Sequence, residues 1–99
     1  MTGTTEIAPE RDDVAAGAQA AAVTVKVDEI MTSISGQRLV DTNWLSDQLL
    51  DVSNLAPLSD LAGRAFAVVG ELRGRSLVDR TWAVDQLLDL RAVAAERRN

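Results

Sequence analysis

The sequence predicts an all-α protein: a four-helix arrangement of two duplicated αα-hairpins, preceded by a disordered N-terminal tail. Three observations point to this class. The stretch Gly36 to Val52, GQRLVDTNWLSDQLLDV, recurs as Gly74 to Leu90, GRSLVDRTWAVDQLLDL, and at this fixed offset of 38 residues ten of the seventeen positions are identical. Apolar residues around each copy recur at helical spacing, and glycine or proline falls between the periodic stretches. A repeat of this length is one supersecondary unit that cannot bury its apolar face alone, so the two copies are expected to pack on each other.

Residues 1–13, MTGTTEIAPERDD, mix Gly, Thr, Pro and acidic groups around a single branched aliphatic, Ile7, which is the composition of a tail. The helical domain occupies 14–99, with repeat 1 at about 20–56 and repeat 2 at about 57–98. The Ala-rich run 14–22 favours helix but has little apolar side chain to bury. A first helix is expected over about 20–34, because Val23, Val27, Ile30, Met31 and Ile34 share one stripe. The competing reading is a short strand at 23–27, where Val, Thr and Lys alternate at period two. Ser35-Gly36 is expected to stop the helix in a left-handed turn.

Asp41 can accept hydrogen bonds from the free N–H groups of the next turn and so start a second helix, Thr42 to about Leu55. Pro57 breaks it. A third helix is expected from about Leu58 to Arg73, with Gly74 as its stop. Asp79 repeats the role of Asp41 and starts a fourth helix running to about Arg97. Arg91, Arg97 and Arg98 sit toward its C-terminus, where cations oppose the negative end of the helix dipole.

Composition narrows the function classes. The chain has no His and no Cys, which removes the commonest general base and metal ligand, the thiolate nucleophile and any disulfide framework. No phosphate-binding glycine loop, dinucleotide fingerprint or nucleophile elbow occurs. The chain is therefore read as non-enzymatic, with no cofactor. Fifteen acidic against ten basic residues leave a net charge of −5, which argues against nucleic acid as a general partner. With no long apolar run and no basic, then apolar, N-terminus, the expected place is the cytoplasm, with no membrane contact.

The fourth helix carries the clearest functional signal, since its apolar positions cover roughly two-thirds of its circumference, more than a one-sided surface helix needs. Val84 and Leu88 extend that arc away from the hairpin and are expected to meet another protein, with a homodimer favoured and an accessory role in a larger assembly as its counterpart. The repeated Trp44 and Trp82 lie in the first turn of their helices, as core anchors or as exposed anchors for a partner. Gln48 and Gln86 fall inside the apolar arc. Either they bond the backbone or reach the rim, or they face each other and fix the register of two helices.

Two weaker constellations remain. Arg73, Arg75 and Arg80 surround the second turn, where the first copy has Ser35, Gln37 and Thr42. They could hold an anion, and together with Arg97 and Arg98 they form the basis of an alternative, a helical DNA-binding regulator. Asp47, Asp51, Asp85 and Asp89 form two i, i+4 carboxylate pairs, the raw material of a further alternative, a carboxylate-metal bundle enzyme, although such sites usually draw on Glu and on Glu-x-x-His and this chain has no His.

Overall fold

The computed structural model describes the backbone of residues 2–57 and 59–98 and the side chains of residues 17–57 and 59–96. The elements are α1 (Thr2–Ile34), β1 (Leu39–Asp41), α2 (Thr42–Leu55), α3 (Asp60–Leu72), β2 (Leu77–Asp79) and α4 (Arg80–Arg98). α1 takes in the backbone of the stretch expected as a tail, whose side chains lie outside the described residues. Over residues 23–27 the chain is helical. Val23 and Val27 are buried while Val25 points to solvent, and the Thr24 hydroxyl donates to the Ala20 carbonyl one turn back at 2.9 Å.

Helices α2 and α4 start where the aspartates place them. Asp41 accepts from the N–H groups of Asn43 and Trp44 at 2.8 and 3.2 Å, and Asp79 accepts from that of Thr81 at 2.7 Å. α3 begins two residues later than expected, because Ser59 caps it by accepting from the Ala62 N–H at 3.3 Å; Leu58 itself lies outside the described residues.

The two glycine stops differ. Gly74 adopts φ 82°, the left-handed conformation, whereas Gly36 does not. At both stops the residue after the glycine donates its N–H to the carbonyl of the last helical residue, Gln37 to Ile34 and Arg75 to Leu72, and the end of α1 adds bonds from the Gln37 side-chain amide to the Ser33 carbonyl and from the Arg80 guanidinium to the Ser35 carbonyl. A Cβ at either glycine would meet nothing within 4 Å, so substitution there tests backbone conformation alone. Gly74→Ala is expected to lose about 1 kcal/mol of unfolding free energy, and Gly36→Ala is expected to stay within about 0.5 kcal/mol of the parent, read from paired urea titrations.

The expected pairing of helices into two self-contained hairpins is not what forms. Between helix and helix of each repeat the chain makes a short strand, and β1 and β2 pair antiparallel with Leu39 opposite Asp79, Val40 opposite Val78 and Asp41 opposite Leu77. Val40 and Val78 are themselves repeat equivalents, so a pseudo-two-fold axis passes between them. The flanking bonds obey it: the Thr42 N–H donates to the Ser76 carbonyl at 3.1 Å, and the Arg80 N–H donates to the Arg38 carbonyl at 3.0 Å. Crossing at this ribbon sends α2 and α4 each onto the other repeat. The main helix pairs are consequently α1 with α4 and α2 with α3, while α1 with α2 and α3 with α4 touch less.

The core follows the same symmetry. Val23, Val27, Ile30, Ile34, Val40, Leu45, Leu49, Val52 and Ala56 are all buried, and so is the residue 38 positions after each: Leu61, Ala65, Val68, Leu72, Val78, Ala83, Leu87, Leu90 and Ala94. Side-chain size differs at several of these equivalences, as with Leu45 and Ala83, so the two halves share buried positions without sharing one set of volumes.

Candidate functional site

Helix α4 packs on α1 with Ala83, Leu87, Leu90 and Ala94 turned inward. This leaves Leu88 on the outside, 47% exposed. Beside it Thr24, Leu88, Arg91, Ala92 and Ala95 line a shallow groove of about 300 Å³ at the junction of α1 and α4. Of these residues Thr24, Ala92 and Ala95 are small and Leu88 is large and exposed, while the Arg91 Nε holds Asp28 of α1 at 3.0 Å. Val84 behaves differently from Leu88: it is half-buried and packs against the core, so its contribution to an outer surface is small.

The other residues singled out by the repeat take varied positions. Trp44 and Trp82 are half-buried against the edge of the core. Gln86 is half-buried and lines a small polar groove with Arg64, Ala67, Val68, Glu71 and Asp89, between the two helices of its own repeat. Gln48 is likewise half-buried. α2 and α4 are not among the principal packed pairs.

The arginines of the second turn are not a free cluster. Arg73 and Arg75 are exposed, but the Arg80 guanidinium is turned to the Ser35 carbonyl at the end of α1. There it opposes the negative end of that helix's dipole and ties repeat 2 to repeat 1. Its counterpart Thr42 does the same by hydroxyl, donating to the carbonyls of Arg75 and Ser76. Arg97 and Arg98 lie outside the residues whose side chains are described.

The repeated carboxylates have a structural use that identity alone concealed. Asp51 pairs with Lys26 at 3.6 Å, and Asp89 pairs with Arg64 at 2.6 Å. Lys26 and Arg64 are themselves 38 residues apart, so one ion pair between the two helices of a repeat occurs twice. It escaped notice because the cation changes from Lys to Arg between copies. Asp47 and Asp85 are exposed. Among the described residues no group of three or more His, Cys, Asp or Glu side chains is placed to hold a metal ion, and no helix is long and apolar enough to cross a membrane.

The ribbon adds an apolar surface that the sequence pattern does not mark. On the outer face of the ribbon Leu39 and Leu77 are 54% and 52% exposed, identical in the two repeats, and Asp79 and Asp41 stand opposite them. These carboxylates turn the face away from an anionic partner such as a phosphate backbone. Leu-Val-Asp recurs in each copy, but its hydropathy does not alternate at period two, and three residues are too few to separate a strand from a helix entrance.

Set against known proteins, the chain matches no family model, no curated protein and no solved structure.

Proposed function

We propose that this chain is a non-catalytic helical module that works by protein–protein contact, and that the contact is made with a second copy of itself through the α1/α4 face. The observation that carries the reading is Leu88, a large aliphatic held nearly half in water in the lining of a groove it shares with the small residues Thr24, Ala92 and Ala95. Knob and hole lie on one helix face, about one to two turns apart along α4. Two α4 helices laid antiparallel across a two-fold axis would seat each Leu88 over the small residues of the other copy. Small side chains permit close approach of the backbones, and the Arg91–Asp28 pair would form a polar rim.

Sedimentation equilibrium on the parent and on Leu88→Lys tests this. The parent is expected to show twice the 10.6 kDa chain mass at tens of micromolar. The variant should keep the helical circular-dichroism signal while its self-association weakens at least tenfold, because each interface would then hold two ammonium groups in an apolar contact. A parent that sediments as a monomer at that concentration would refute self-association and leave the face to a different protein.

A further inference from the structure

We propose that two copies of this chain can exchange whole repeats, so that repeat 1 of one copy folds against repeat 2 of the other, with the α2–α3 connection as the hinge. The basis is where the contacts fall. The pairs α1 with α4, α2 with α3 and β1 with β2 all run between repeats, and the ribbon bonds from Thr42 to Ser76 and from Arg80 to Arg38 do as well. Each of these can be made again, unchanged, by the same residues of a second chain. Contacts that stay within a repeat, such as Lys26 with Asp51 and Arg64 with Asp89, travel with it.

Among the described residues of the connection, the Ser59 hydroxyl accepts from the Ala62 N–H and donates to the Ala56 carbonyl, the Ser59 carbonyl accepts from the Gly63 N–H, and Ala56 is buried in the core. Opening it forfeits the Ser59–Ala56 bond and the turn at Ala56 (φ −139°, ψ 62°), while the interleaved core of both halves is rebuilt in trans. Closure within one chain wins at micromolar concentration, because a four-residue tether holds the second repeat at an effective concentration on the order of millimolar. Exchange takes over when the tether can no longer turn back, the usual consequence of shortening a hinge.

The full chain provides the test, because it has no cysteine of its own. Leu39→Cys with Asp79→Cys puts two thiols directly opposite each other across the ribbon, in a position between the hydrogen-bonded pairs where Cα atoms lie close enough for a disulfide. Oxidised at tens of micromolar, this double variant should link within one chain and run as a monomer on a non-reducing gel. Deleting residues 57–59 leaves one residue between α2 and α3, fewer than a helix reversal uses. That form should link between chains, with a covalent dimer as the main product and helical content kept. A shortened form that still links within one chain, or that dimerises through its surface without linking between chains, overturns the proposal. Should the shortened form fail to fold, the double variant with its natural hinge is refolded and oxidised at about 1 mM, and the absence of interchain product there overturns it equally.

Discussion

Replacing Leu87 by Ala is expected to lower the unfolding free energy by about 3 kcal/mol, and Leu49→Ala by a similar amount. Both side chains are 1% exposed and both belong to the single core that the two repeats share. Truncation of a buried leucine costs the transfer free energy of the lost methyls plus that of the cavity left behind, typically 2 to 5 kcal/mol. For a chain of this size that is a large part of the total, so the melting temperature should fall by well over 10 °C. The two variants should also lose cooperativity together. If Leu49→Ala unfolded residues 42–55 while leaving the second repeat intact, the halves would be separate units, which the interleaved packing forbids.

A larger effect is expected at the axis. Val78→Asp puts a carboxylate at a position 4% exposed, facing Val40. Among the described residues the buried polar side chain beside the ribbon, Thr42 at the start of α2, already spends its hydroxyl on the carbonyls of Arg75 and Ser76. An unpaired buried charge costs several kcal/mol, enough to leave this variant unfolded at 25 °C by circular dichroism. The neighbouring Leu77→Asp should stay within about 0.5 kcal/mol of the parent, since Leu77 already faces water. Opposite outcomes at adjacent positions are the signature of a strand, whose side chains alternate between faces; a helical continuation through 77–79 would not separate them so sharply.

The helices were legible in the sequence because their evidence is periodic and repeated. Asp41 and Asp79 mark the starts of α2 and α4, and the stripe Val23, Val27, Ile30 and Ile34 turned inward as the spacing required. The partnering of helices was not legible. Duplication shows that two copies belong together, but a side-by-side pair of hairpins and an interleaved pair bury the same residues. The choice rests on the three residues of each strand, whose ladder between β1 and β2 is a contact between distant parts of the chain. For the candidate surface, apolar periodicity marked Leu88 correctly as outward, yet it treated Val84 as equivalent because a helical wheel contains no neighbouring helix. In the structure Val84 is half-buried against the core, whereas Leu88 is exposed in the lining of the groove.

The interleaving carries the proposed surface, the exchange and the shared core alike, and proton NMR of the dilute parent chain tests it most directly. Thr42 and Arg80 donate across the ribbon at 3.1 and 3.0 Å, so the alternation of an antiparallel pair puts Val40 and Val78 in hydrogen-bonded positions and Leu39 opposite Asp79 in the close, non-bonded position. The account predicts strong Hα–Hα cross-peaks for Leu39 with Asp79 and for Asp41 with Leu77. It also predicts slowly exchanging amides at Val40, Val78, Thr42 and Arg80, and side-chain contacts from Ile30 and Ile34 of α1 to Ala83 and Leu87 of α4. Fast-exchanging ribbon amides, with α1 contacts confined to α2, would contradict it.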